Sequence, residues 1–251
     1  MTDIYKTPDA SLNTNTVSGS YGSLEKGVTG DYEFSVGGAL SEAWEKTKGA
    51  KWNLNLAVFI YFLVSIVVMV VLQMAMIPLM PVQPDADPTL FISASIGQQL
   101  LMNLILMPLA MGLFILGLRR SLGAPIEATS IFGYYNKAFS LLLTIILMYI
   151  MLIIGYVLLV LPGIYLSVAY MLAMPLVVEK GLSPWQALEA SRKAITKRWF
   201  SVFGFFIVLV IIMVISMIPL GLGLIWTGPM MMIAYGIMYR NMFGAEQETV
   251  N

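Results

Sequence analysis

The sequence from Phe139 to Val178 reads FSLLLTIILMYIMLIIGYVLLVLPGIYLSVAYMLAMPLVV and contains no charged residue. A helix needs only about 20 apolar residues to cross the hydrocarbon core of a membrane, so this stretch is too long for one crossing. Pro162-Gly163 lies near its middle, where the missing proline amide and the glycine favour a turn. The sequence therefore predicts two helices, of which the second, 163–178, is short for a full span.

The composition of the whole chain also indicates a membrane protein. Of the 251 residues, 59% are hydrophobic and 11% are charged, whereas soluble domains have about 45–50% and about 25%. The chain has no cysteine and no histidine, which excludes disulfides and thiolate chemistry and removes the commonest general base and metal ligand. Its basic residues are dispersed and its net charge is zero, which gives no basis for nucleic-acid binding. We expect no cofactor, no metal, no nucleic-acid partner and no enzymatic activity.

Three further apolar regions complete the predicted topology. Segments 53–77 and 95–118 are each long enough to span, and the run from Phe200 to Tyr239 divides at Pro219–Gly223. The fold class is therefore all-α, a polytopic membrane helix bundle with six spans in three helical hairpins. With this division, all 14 Lys and Arg fall on one side, while the opposite loop near 78–94 carries Asp85 and Asp87. The positive-inside rule then places both termini in the cytoplasm.

The polar ends of the chain are expected to lie outside the folded region. Residues 1–33 are rich in Ser, Thr, Asn, Asp and Gly and cannot bury enough apolar surface to fold, so we predict a disordered cytoplasmic tail. They lack the basic start and apolar core of a signal peptide. The membrane domain is predicted to be 34–244, with 245–251 as a C-terminal tail.

The membrane domain looks like a threefold internal repeat, with units at about 34–123, 124–182 and 183–244. Each unit has a cytoplasmic interfacial amphipathic helix, an outgoing span, a turn, and a returning span interrupted by a proline. The returning prolines are Pro108, Pro175 and Pro229. PLAMGLFILGLRRSLGA from Pro108 and PMMMIAYGIMYRNMFGA from Pro229 share Pro, Met, Arg, Gly and Ala without gaps.

The third amphipathic segment, SPWQALEASRKAITKRW from Ser183 to Trp199, carries five charged residues between two apolar runs. Ser183, Pro184 and Gln186 form a capping box with proline at the first helical position. A basic amphipathic helix with tryptophan at its ends is typical of a membrane interface, where it anchors and orients the next span. The sharper alternative is a contact site for anionic lipid or a partner, with Arg192, Lys193, Lys197, Arg198, Trp185 and Trp199 as its candidate residues.

A second candidate site is a central cavity. Each returning proline frees a backbone carbonyl that a neighbouring helix or water must satisfy, and three kinks at related depths resemble the broken helices of transporters. The in-membrane amides are the other polar groups available, although hydrogen bonding between helices is their commoner role. The candidate cavity residues are Gln73, Gln99, Asn103, Pro108, Pro175 and Pro229. No ionisable side chain is predicted to lie buried in the membrane.

The run LPGIYLSVAYMLAMPLVVEKGLSPWQALEASRKAITKRWFSVFG resembles the YciC-like bacterial inner-membrane proteins. It is equally similar to the membrane domain fused to some glycerophosphodiester phosphodiesterases. The resemblance covers about 34–244 and rests on Pro162-Gly163, Glu179-Lys180 and the segment from Gly181 to Ser191. It implies a multi-pass protein of the bacterial inner membrane and brings no catalytic residues.

The leading hypothesis is a non-enzymatic membrane protein that organises lipids or a partner through its basic interfacial helices. Its expected partners are membrane lipids, anionic ones in particular, with a membrane protein or a second copy of the chain as further possibilities. The alternative is a passive or facilitated permease for a small neutral or amphiphilic solute that uses the kinked helices. A hydrolase of lipid head groups ranks third because the sequence has no convergent acid–base set.

Overall fold

The computed structural model describes residues 21–79 and 89–250, which form helices and turns with no β-strand among them. The α-helices are α1 Leu24–Thr29, α2 Val36–Lys46, α3 Lys51–Met76, α4 Thr89–Ser121, α5 Ala138–Leu158, α6 Val160–Ala169, α7 Ala173–Glu179, α8 Pro184–Lys197, α9 Trp199–Met217, α10 Leu224–Phe243 and α11 Gln247–Val250. Two 3₁₀ helices cover Ile77–Leu79 and Ala128–Lys137. The predicted acidic pair Asp85 and Asp87 lies outside the described residues.

The chain is a multi-pass helical membrane protein. Within the described residues, five helical segments are long and apolar enough to cross a membrane: Lys51–Met76, Thr89–Ser121, Ala128–Leu158, Val160–Glu179 and Trp199–Met217. Helix α10, the sixth predicted span, has 20 residues. It is less apolar because it includes Thr227, Pro229 and Arg240 as well as two glycines and two tyrosines. By length and composition alone, the count is therefore five.

The break predicted at Pro162-Gly163 lies slightly earlier in the structure. Helix α5 ends at Leu158, Leu159 is extended, and α6 starts at Val160. Pro162 is the third residue of α6, where its missing N–H has no intrahelical acceptor to lose. A second interruption between α6 and α7, at 170–172, was not predicted.

The predicted tails are partly folded, which corrects both boundaries. Residues 21–33 contain α1, and Tyr32 is only 6% exposed with its hydroxyl donating to Ala194 O at 3.0 Å. Residues 1–20 lie outside the described part. At the other end Ala245 is buried and the amide of Glu246 donates to Glu179 Oε1 at 2.5 Å. Tertiary hydrogen bonds, which a local polar pattern does not reveal, order both segments.

Helices α4 and α10 form the closest helix pair of the interior. A Cβ on Gly236 would lie 2.7 Å from Leu118 Cα, and a Cβ on Gly117 would overlap the backbone of Met232. Small residues at such a crossing allow the backbones of membrane helices to approach closely. Around this crossing Phe114 packs edge-to-face on Tyr235 and Tyr239, with ring centroids 5.2 Å apart in both pairs.

Helices α3, α5 and α9 are peripheral by comparison. Most of their large apolar side chains are exposed, as expected for helices whose surroundings are lipid rather than water. Each begins with a basic residue followed by an exposed aromatic one: Lys51 and Trp52, Lys137 and Phe139, and Arg198 and Phe200. The exposed fractions of these aromatic residues are 78%, 68% and 83%.

Candidate functional site

Helix α8, the basic amphipathic segment, packs against the rest of the chain along one face. The predicted capping box is confirmed: the Ser183 amide donates to Gln186 Oε1 at 3.3 Å, and Pro184 is the first helical residue. The buried face consists of Ala187, Leu188, Ala190, Ser191, Ala194 and Ile195. This face packs mainly on α1, α5, α6 and α7. Only the opposite face of α8 is available to lipid or a partner.

Two of the four predicted cations of α8 are already paired. Arg192 donates to both carboxylate oxygens of Glu189, with Nε–Oε2 at 2.9 Å and Nη2–Oε1 at 2.8 Å, and Lys193 Nζ lies 3.3 Å from Oε1. The hydrogen bond from Arg192 lowers the pKa of Glu189, and the same bond raises the pKa of Arg192. The net charge of this group is therefore +1 rather than +2.

The other two cations, Lys197 and Arg198, have no carboxylate within 4.0 Å among the described residues. The Lys197 stem lies beside Gly30. The Arg198 guanidinium lies 5.7 Å from the centre of the Tyr32 ring. Burial raises the pKa of Tyr32 to about 12, and the charge of Arg198 opposes that shift. This pair therefore faces the N-terminal segment.

The two candidate tryptophans have different environments. Trp185 is 56% exposed and can contact lipid. Trp199 is partly buried; its indole Nε1 donates to Tyr165 O at 3.2 Å and its ring stacks on Phe203 at 4.9 Å. Trp199 is an internal anchor. The six candidate residues therefore form two groups. Trp185, Arg192, Lys193 and Lys197 lie on α8 outside its buried face, whereas Arg198 and Trp199 lie at the start of α9.

The returning prolines are buried, and for two of them a side chain donates to the carbonyl four residues earlier. A proline cannot donate to the carbonyl four residues earlier. For Pro229 that carbonyl belongs to Ile225, and Asn55 Nδ2 donates to it at 3.0 Å. Pro175 is the third residue of α7, so its missing N–H has no acceptor within that helix; the carbonyl four residues earlier, that of Met171, accepts from the Tyr235 hydroxyl at 2.7 Å.

Pro108 has a related contact one residue away. The hydroxyl of Tyr135 donates to Ile105 O at 3.0 Å, the carbonyl three residues before the proline. With the predicted unit boundaries, the first unit donates to the third, the third to the second, and the second to the first. The three side chain–carbonyl bonds therefore form a closed cycle between units.

The interruption between α6 and α7 is also satisfied by protein groups. Ser191 Oγ donates to Ala169 O at 2.7 Å and accepts from the Leu172 amide at 3.1 Å. Irregular backbone at membrane depth is tolerated where protein supplies such partners. Among the described residues, no buried side-chain nitrogen or oxygen lacks a hydrogen-bond partner.

The candidate cavity residues do not converge in the structure. Gln73 and Gln99 are exposed, whereas Asn103 is buried and donates to Gln99 O within its own helix at 2.8 Å. The three prolines lie in the interior next to the protein donors described above. Sequence reasoning missed Asn55, Tyr135 and Ser191 as partners. The proline positions identify which carbonyls need a donor, but the donors come from distant parts of the chain.

Two charged groups are buried within the protein, a feature that the sequence prediction, which concerned burial in the membrane, did not address. Arg240 is 3% exposed; its Nη2 lies 2.6 Å from Glu42 Oε2, and its Nη1 donates to Ser121 O. Glu179 is 8% exposed and accepts from the Tyr239 hydroxyl at 2.8 Å. Both charges lie near the ends of helices and are hydrogen-bonded, so removal of one partner would leave the other buried and uncompensated.

These residues do not form a recognisable reactive centre. Among the described residues, no three His, Cys, Asp or Glu side chains are grouped as a metal site. No family model, curated protein or solved structure matches the chain. The function must therefore be argued from the surfaces and contacts of the chain itself.

Proposed function

We propose that the protein is a non-enzymatic membrane protein that organises anionic lipid, or a partner protein, at the cytoplasmic face of the bacterial inner membrane. In this proposal six spans form three hairpins. Helix α2, the 3₁₀ helix Ala128–Lys137 and helix α8 lie at the boundary between the membrane and the cytoplasm. Both termini are cytoplasmic. The resemblance of 161–204 to YciC-like proteins is in line with this location.

The observation that carries the proposal is the repeated pairing of a basic residue with an exposed aromatic residue where α3, α5 and α9 begin. Aromatic residues prefer the boundary between hydrocarbon and water, and basic residues there attract anionic headgroups by about 1 kcal/mol each. The exposed face of α8 adds Trp185, Lys193 and Lys197 to this belt. Because the interior polar groups are satisfied, the chemistry that remains available lies at this boundary.

The test is lipid selectivity of the full chain in nanodiscs. Energy transfer from tryptophan to a labelled anionic lipid, compared with a labelled zwitterionic lipid, measures local enrichment. Reversing Lys193, Lys197 and Arg198 to Glu should reduce that enrichment by about tenfold. The matched control is the triple variant K193R/K197R/R198K, which changes the same three side chains and keeps their charge.

The result is interpretable only if insertion is normal, so the accessibility of single cysteines introduced near both termini is measured in parallel. Unchanged enrichment and unchanged partner capture in a correctly inserted triple variant would contradict the proposal.

The second candidate, a permease, is favoured by one observation, the discontinuous helix α6–α7. Transporters use such breaks to bind solutes near the middle of the membrane. Here a permease would require Ser191 and Tyr235 to exchange their backbone partners for a solute. Solute-dependent swelling of proteoliposomes tests this, and equal swelling with the wild type and with empty liposomes excludes it.

A further inference from the structure

A polar cleft of about 540 Å³ lies where α9 begins, and Arg198 is the one residue of its lining that the proposed function also uses. It is lined by Tyr21, Gly22, Lys26, Gly30, Asp31, Tyr32, Glu33, Arg198 and Asn241. Its volume is within the range of ligand sites, about 300–1,000 Å³. Because α9 is apolar enough to cross a membrane and starts one residue after Arg198, the cleft lies at the membrane boundary.

The cleft contains two basic and two acidic side chains, and among the described residues none of the four forms an ion pair. Lys26 and Arg198 have no carboxylate within 4.0 Å among the described residues, and Asp31 and Glu33 have no basic partner within that distance there. An anionic ligand would gain from the two cations but would meet two carboxylates. A ligand that carries a phosphodiester and a cation complements all four groups.

The aromatic residues of the cleft decide which cation fits. Quaternary ammonium groups are recognised by the open faces of aromatic rings. Here the Tyr32 ring is covered by Arg198 at 5.7 Å, and the Tyr21 ring by Arg240 at 4.6 Å. The cation must therefore be bound by Asp31 and Glu33, which favour a primary ammonium because it donates hydrogen bonds.

We infer that this cleft binds a zwitterionic phosphoethanolamine group, with the phosphodiester at Lys26 and Arg198 and the ammonium at Asp31 and Glu33. The group can come from phosphatidylethanolamine in the membrane or from the soluble diester glycerophosphoethanolamine. The exposed apolar residues Phe200, Ile207 and Ile211, spaced along one face of α9, suit the acyl chains of the lipid. The inference requires the membrane location but does not rest on the anionic-lipid proposal.

The test measures binding of phosphatidylethanolamine, phosphatidylcholine and phosphatidylglycerol to the full chain in detergent by native mass spectrometry. We expect phosphatidylethanolamine to bind about tenfold more tightly than phosphatidylcholine, because the trimethylated ammonium cannot donate to the carboxylates. The double variant D31N/E33Q should reduce this preference to about twofold or less. R198Q should weaken binding of both zwitterionic lipids.

Two results would overturn the inference: equal binding of the two zwitterionic lipids to the wild type, or a preference that D31N/E33Q leaves unchanged. Asp31 and Glu33 are exposed, so both variants should fold, and E33Q alone provides a second, milder variant. A parallel titration with glycerophosphoethanolamine identifies the source: affinity equal to that of the lipid indicates the soluble diester, and weaker affinity indicates the membrane lipid.

These results are distinguishable from those on the proposed function. D31N/E33Q removes no positive charge, so it should leave enrichment of anionic lipid at the interfacial belt intact. Reversal of Lys193 and Lys197 should reduce that enrichment without changing the preference between the two zwitterionic lipids.

Discussion

The middle segment, 160–179, is split into α6 and α7, whereas α4 and α10 run unbroken through Pro108 and Pro229. In α10 a single amide, that of Asn55, covers the carbonyl that the proline frees. In the middle segment Ser191 must both donate and accept across a three-residue gap. Both a proline inside a membrane helix and a break between helices are therefore tolerated here because neighbouring side chains bond the exposed backbone groups.

The largest expected effect concerns the continuous pair α4 and α10. In G236A the new Cβ would lie 2.7 Å from the Leu118 backbone, so the helices must separate, at a cost of about 3 kcal/mol in the free energy of unfolding. The measurement is unfolding in mixed detergent–SDS micelles. The control is G228A on the same helix, where nothing lies within 4 Å of the added methyl group. Equal effects of the two substitutions would show that the crossing is not tight.

The next largest effect concerns the interruption between α6 and α7 at 170–172. In S191A the carbonyl of Ala169 and the amide of Leu172 lose their partner at a fully buried site, which should lower the free energy of unfolding by about 2 kcal/mol. S65A is the matched control, because Ser65 only bonds back to Tyr61 O in its own helix. If S191A is as mild as S65A, the break does not depend on α8.

A smaller effect is expected at the proline carbonyls. Y235F removes the hydroxyl that donates to Met171 O and should cost about 1 kcal/mol. Y135F should cost less, because its bond to Ile105 O is exposed. Y149F, on an exposed face of α5, is the control. A larger loss of stability for Y135F than for Y235F would contradict the expectation that the less exposed hydrogen bond contributes more.

The smallest effect is expected on the exposed face of α8. E189Q removes the ion pairs with Arg192 and Lys193 and should cost about 0.5 kcal/mol, since the three side chains are partly exposed and water screens their charges. The folded pKa of Glu189 is lowered from 4.5, so its contribution is present above that pH and is lost as the pH falls through the folded value. E189Q should abolish this acid-side loss and also increase anionic-lipid enrichment, because two cations are released. A decrease in enrichment would contradict the role of α8.

The sequence predicts local features of this chain better than it predicts contacts between distant segments. The capping box of α8 and the all-helical class follow from short patterns around Ser183 and from apolar length. The gap at 170–172 depends on Ser191, and the burial of Arg240 depends on Glu42, which is 198 positions away. The same limit applies to the proposed lipid residues. The sequence pattern treats Trp185 and Trp199 alike, and only the folded chain shows that Trp199 bonds inward to Tyr165 O.

The cycle of side chain–carbonyl bonds has a consequence for biosynthesis. Ile225, which accepts from Asn55, lies 170 residues further along the chain and emerges from the ribosome much later. Helix α3 must therefore remain in the membrane with this donor unused until α10 arrives. A chain released before that point leaves the ring open, and such a fragment presents the insertion machinery and membrane proteases with an amide that the finished protein pairs.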